Sequence, residues 1–169
     1  PKLEKENLKL CSGWYGANLL KNSVKEELAI MKEQLDLFKE CDAPCIVFAE
    51  VTGSIQGEVK TPLSKRPILN NEEWKNFYYK INEISKHMED SGMPLAYHHH
   101  MGTVVQSQED TERLIDNTSD TVRLLIDTGH MMFAGGDFVK IAKDYSSRLH
   151  HIHCKDIRKD VLENSLKDD

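Results

Sequence analysis

Apolar positions in this chain fall into two kinds of run. The first repeats every three or four residues: Val24, Leu28, Met31, Leu35 and Phe38, then Trp74, Phe77, Tyr78, Ile81, Ile84 and Met88. That spacing puts one apolar stripe on each of two helices, expected over 24–40 and 72–90. Ser23 with Glu26 three residues on makes a capping box for the first, and Ser91-Gly92 ends the second. Shorter helices are expected over 107–117, where Thr111, Leu114 and Ile115 share a face, and over 138–145. The second kind of run is short and continuous: 45–49, 94–100, 122–126 and 149–153. Such runs read as strands of a parallel sheet, buried on both faces. Residues 8–16 read as a further strand that breaks into a glycine-flanked aromatic loop, SGWYG. Residues 53–70 and 131–136 read as loops. Strands alternating with helices predict an α/β fold with a parallel sheet, in one domain over 1–169.

The polar residues then stand out by where they fall. The run 94–100 ends in three consecutive histidines and 123–130 ends in Asp-Thr-Gly-His. The run 149–156 ends in His-His-Ile-His-Cys-Lys-Asp. Alternate side chains of a strand share a face, so such tips can converge on one centre. The C-terminal edge of a β/α sheet is also where active sites are built. No GxGxxG or P-loop follows the first strand, which disfavours a nucleotide site.

Asp127 and His153 are the first pair expected at that centre. A carboxylate with imidazoles suits a divalent transition metal; the alternative is a turn cap and a satisfied polar layer. Alternation puts His98 and His100 on one face and His99 on the other; the pair is open to roles as ligand, base or hydroxyl donor. His130 follows Asp127 closely enough to shuttle a proton there. Lys155 and Asp156 are either supports of the site or a salt bridge closing the strand end. Glu50, ending an apolar strand, is a ligand, a base, a sugar-hydroxyl acceptor, or a carboxylate bonded to loop amides. Trp14 is a wall for the apolar face of a polyol or core filling. Lys65 and Arg66 lie on a solvated loop or form a substrate lid. His150 and His151 read as structural or exposed.

Composition narrows the class without naming a chemistry. A net charge of −6, with basic and acidic residues interspersed, argues against nucleic acid. No apolar run is as long as a membrane span, and nothing at the start reads as a secretion signal. Cys11, Cys41, Cys45 and Cys154 show neither a CxxC pair nor a disulfide framework, so a reducing, cytoplasmic setting is expected. The chain starts Pro-Lys-Leu-Glu without a Met and ends in a polar run, 159–169, and reads as a piece of a longer protein.

AYHHHMGTVVQ, LIDTGHMMFAGGD and HHIHCKD, with SGWYG, AEVTGSIQG and PLSKRP, resemble the inosose dehydratase family of the xylose-isomerase-like TIM barrels. DTGH and HxHxKD are shared across that superfamily; YHHHMGT with AEVTGS points more narrowly to the dehydratases. The resemblance runs through nearly the whole chain. It implies a (β/α)8 barrel, here a partial one covering about strands 3 to 7. It also implies a divalent metal, Mn²⁺ or Co²⁺, held by Glu, Asp, His and Glu from successive strands. Asp127 and His153 match the second and third ligands. Histidine stands where the first should be, so His98, His100 or Glu50 is left to supply it, and the fourth is expected beyond Asp169. The implied reaction is dehydration of scyllo-inosose, a cyclic polyol ketone, to a trihydroxycyclohexane-1,2-dione. Under the resemblance, His130 and one of His98 or His100 serve as base and acid, with Lys155 a further catalytic candidate. The alternatives are a metal-dependent sugar isomerase or epimerase, and a non-catalytic sugar- or metal-binding fragment. A homo-oligomer is a further expectation, because a partial barrel leaves sheet edges open.

Overall fold

Both long helices begin where a side chain can close the first turn. In the computed structural model, which describes residues 2–165, Ser23 and Asn70 cap α2 (Val24–Glu40) and α3 (Asn71–Asp90), each in a capping box. Ser107 does the same for α4 (Gln108–Asp116). These caps occupy backbone donors that the first helical turn would leave open. A short helix α1 (Lys2–Lys5) precedes them, and α5 (Thr128–Phe133), α6 (Phe138–Asp144) and α7 (Lys159–Ser165) follow.

Five strands form one wholly parallel sheet in chain order: β1 (Trp14–Ala17), β2 (Ile46–Glu50), β3 (Leu95–His98), β4 (Arg123–Asp127) and β5 (Leu149–His153). Ile46, Phe48, Leu95 and Tyr97 meet Met31, Leu35, Phe77, Ile81 and Ile84 of α2 and α3 in the main core. Leu124 and Ile126 pack with Met131 and Ile141 of α5 and α6. A smaller cluster, Cys45, Val47, Ala96 and Leu125, lies on the opposite face of the sheet. The expected α/β architecture with a parallel sheet is therefore present. Arg148, buried at the entry to β5, donates to the carbonyls of Ile115, Thr118 and Val122 and ties that strand to the end of α4.

Two elements differ from expectation. Trp14 and Tyr15 are not loop residues; they open β1, and residues 8–13 have no regular structure. The run 131–136 is not all loop, since α5 starts at Thr128 directly from the β4 tip, capped by the Asp127 carboxylate. Within the polar run 159–169, residues 159–165 form α7, and the remainder lies outside the described residues.

One irregularity aims the site. The register of β4 against β5 shifts between Leu124 and Leu125, pairing Leu124 with Leu149 but Leu125 with His151. The extra residue on β5 advances its alternation by one position, so His153 rather than Ile152 stands beside Asp127.

Candidate metal centre

Asp127 is fully buried at the tip of β4, and the groups around it converge on one carboxylate oxygen. Its Oδ2 lies 3.2 Å from His98 Nε2, 3.4 Å from His153 Nδ1 and 2.5 Å from Lys155 Nζ. Its Oδ1 accepts the backbone N–H of His130 at 2.9 Å. His153 Nδ1 is 3.2 Å from His98 Nε2. Three strand tips thus supply a triangle of one carboxylate oxygen and two imidazole nitrogens. Ligands about 2.1 Å from a shared ion stand roughly 3.0 to 3.4 Å apart, and this triangle has that size. A mixed oxygen and nitrogen set suits Mn, Co or Zn, so the residues fit a divalent transition metal.

A second group, His98, His100 and His130, also brings its ligand atoms within 4.8 Å of one another. Among the described residues these two sets are the close groupings of ligand atoms, and both use His98. Alternation holds past the end of β3, as the sequence predicts. The rings of His98 and His100 are 5.2 Å apart, and that of His100 is 4.2 Å from His130. Trp14, partly exposed on β1, sets its edge against both His98 and His100, each at 5.5 Å. It therefore borders the centre.

Burial sets the charge state of the histidines. It pushes His98 and His130 down to about 4 and lowers His100, because an imidazolium loses its hydration there. These rings are neutral at pH 7 and have lone pairs to offer. His100 Nδ1 is 2.9 Å from the Met101 carbonyl, which can only accept, so Nδ1 carries the hydrogen and Nε2 the lone pair. Burial alone would raise Asp127, but His98, Lys155 and the His130 amide hold its carboxyl far below the usual range.

The remaining candidates are placed as follows. Glu50 is buried at the tip of β2, where Leu19 N–H donates to one oxygen at 2.6 Å and Thr52 N–H to the other at 2.7 Å. Among the described residues it joins neither ligand group. Arg66 pairs with Asp110 at 2.8 Å and donates to the carbonyls of Thr103 and Val104, pinning its loop to the segment after β3. Lys65 is exposed in a 3-10 turn, Leu63–Lys65. His150 Nδ1 accepts from Arg123 at 3.2 Å, the structural role expected of it. His99 is the residue that alternation set aside. Fully buried, it accepts the Asp127 N–H at 3.2 Å and steadies the strand tip from behind. Gly102, at φ 78°, lets residues 55 and 56 pack on the loop after the histidines, since a Cβ there would lie 2.9 Å from Gln56 N.

Residues 2–168 match the family described as xylose isomerase-like TIM barrel. The chain belongs to that family. The chain is 36% identical over 167 residues to the rhizopine catabolism protein MocC of Rhizobium meliloti, covering 99% of this chain and 51% of that protein. It is 38% identical over 168 residues to the inosose dehydratase of Clostridium perfringens, covering 98% and 57%. It therefore spans about half the length of the curated relatives it matches. Among solved structures, the probable 3-DHS dehydratase AsbF of Bacillus anthracis superposes with a TM-score of 0.72 at 14% identity, over 92% of this chain and 54% of that one. The IOLI protein with a bound zinc atom gives 0.58 at 16%, over 86% and 50%. These two likenesses concern the fold. No helix among the described residues is long and apolar enough to cross a membrane.

Proposed function

We propose that this chain carries the metal-binding part of an inosose dehydratase, which removes water from scyllo-inosose to give a trihydroxycyclohexane-1,2-dione. The observation that carries the reading is a conjunction. The triangle of His98, Asp127 and His153 lies beside the neutral histidines His100 and His130, in a chain 36–39% identical to MocC and several inosose dehydratases. Loss of water next to a ketone needs a proton taken from the α-carbon and a proton given to the departing β-hydroxyl.

His98, Asp127 and His153 hold the divalent ion, Mn²⁺ or Co²⁺ in this reading. Bound there, the ion supplies Lewis acidity toward the ketone and an adjacent hydroxyl. His100 is the base: its tautomer leaves Nε2 free to accept, and it stands 4.2 Å ring to ring from His130. His130 delivers the proton to the leaving hydroxyl, with the Lys155 ammonium 3.3 Å from its Nε2 as the nearest proton source. Trp14, edge-on to His98 and His100, offers an apolar wall to the carbon face of the polyol. Glu50 and Arg66 shape the loops around the opening.

The test is turnover of scyllo-inosose by the full-length protein containing this chain. Formation of a dicarbonyl product absorbing in the near ultraviolet, stopped by a chelator and restored by Mn²⁺ or Co²⁺, is the expected result. An epimerase of the same family would also begin by taking a proton from the carbon next to a carbonyl, but it returns a proton to carbon instead of expelling water. Epimerised sugars without the dicarbonyl product would replace the dehydratase reading with that one.

A further inference from the structure

The cation nearest Asp127 belongs to the protein itself. Lys155 Nζ lies 2.5 Å from Asp127 Oδ2, the oxygen that also faces His98 and His153. Lys155 does not reach there by chance of rotamer. Its backbone N–H donates to Thr128 Oγ1 at 2.9 Å, and the same hydroxyl donates to the Lys155 carbonyl at 2.6 Å. Its stem then runs across Gly129, where an added Cβ would lie 2.6 Å from Lys155 Cβ. Thr128 and Gly129 of one motif thus seat the lysine of the other. The ammonium also stands 3.3 Å from His130 Nε2, so it has a second acceptor if Asp127 is taken from it.

We propose that Lys155 is a built-in counter-cation that competes with the metal for Asp127. Without an ion, the ammonium neutralises the buried carboxylate and keeps the triangle assembled. A divalent ion bound by His98, Asp127 and His153 brings a second positive charge to the same oxygen. Repulsion then drives the ammonium off Asp127 and toward His130 and the open side of the site. Metal entry is weakened by this competition. It also sets the lysine's position, so the ammonium is offered to substrate only in the loaded site. This rests on the metal-site reading above and adds to it a coupling between metal and lysine.

The test measures binding rather than turnover, in the full-length protein freed of metal by chelation. Co²⁺ is titrated into wild type, K155M and K155R, following the visible d–d bands and the heat of binding. Removing the competitor in K155M is expected to tighten Co²⁺ at least tenfold. K155R keeps the positive charge and stays near wild type. Apo K155M melts below the wild type, because Asp127 loses its ammonium partner, and gains more in melting temperature from Co²⁺. If K155M is recovered only in the presence of metal, that dependence is the same result in stronger form. If it does not fold even then, K155Q, which can hydrogen-bond Asp127 without charge, takes its place with the same expected tightening. Equal or weaker Co²⁺ binding by the folded neutral variant overturns the competition while leaving the metal site standing. If wild type and variants all fail to bind Co²⁺, the metal reading falls and this inference with it.

Discussion

Two buried carboxylates end strands of the same sheet on either side of β3, and they differ in what satisfies them. Glu50, at the tip of β2, is bonded by the amides of Leu19 and Thr52. Asp127, at the tip of β4, is met by two imidazoles, an ammonium and one amide. Burial outweighs the amides and raises the pKa of Glu50, whereas the side-chain donors pull that of Asp127 far down. Position on the sheet is therefore a poor guide to chemistry. Backbone donors tie a carboxylate into the loops, while side chains that are themselves ligands or cations can exchange it for something that arrives from outside.

The largest expected effect comes from breaking the Asp127 end. D127N removes the carboxylate proposed to hold the metal, and activity of the full-length protein should fall by more than about 100-fold, beyond what loss of a supporting group around a metal causes. Co²⁺ titration should show the matching loss of affinity. E50Q should leave both nearly unchanged per folded molecule. Its amide nitrogen faces a backbone N–H, so it should lower stability by about 1–3 kcal/mol in urea unfolding. An E50Q protein that is stable but cannot bind metal would undo the contrast.

Acidity sharpens the same comparison, with opposite signs. Asp127 is depressed, so its contribution to stability is present above the unfolded value of about 3.9 and is lost as pH falls below it. Glu50 is raised, so its favourable share is present below about 4.3 and is lost as pH rises through its folded value. In metal-free buffer, the stability difference between wild type and D127N should shrink on acidification, and that for E50Q should grow. Around both lies a wider slope. Burial lowers His98 and His130 to about 4 and His99 to about 3, so the neutral rings support the fold above about 6.5 and withdraw that support as pH drops toward 4. The urea midpoint of the wild type should fall steadily across that interval.

Much of this was legible in the chain because it depends on local pattern. Apolar spacing located α2, α3 and β2 to β5, and alternation put His98 and His100 on one face. The convergence of Asp127, His153 and His130 followed from parallel strands ending at one edge. What stayed hidden depends on partners distant in sequence. Nothing near Glu50 announces that Leu19 will reach its carboxylate. The register shift that turns His153 rather than Ile152 toward Asp127 is a property of two strands together. Trp14 read as loop because glycines flank it, yet pairing with Val47 makes it the first residue of β1. His99 was legible only as facing away, and its support of the Asp127 amide appears once the strands are side by side.

The smallest effects concern the loop that carries Lys65 and Arg66, adjacent cations with no local difference to separate them. In the fold one is anchored and the other is not buried. Arg66 reaches Asp110 and two carbonyls with its side chain only 13% exposed. R66A leaves a half-buried aspartate and two carbonyls short of a donor, and should lower stability by about 1–3 kcal/mol. K65A changes an exposed side chain, so its effect on stability should stay within about 0.5 kcal/mol. Steady-state kinetics on the full-length protein then separates anchoring from a lid. If the loop only shapes the opening, K65A leaves KM unchanged and R66A raises it through disorder of the loop. A several-fold rise in KM for K65A at unchanged stability would mean that the exposed lysine meets the substrate, and the loop would then be a lid.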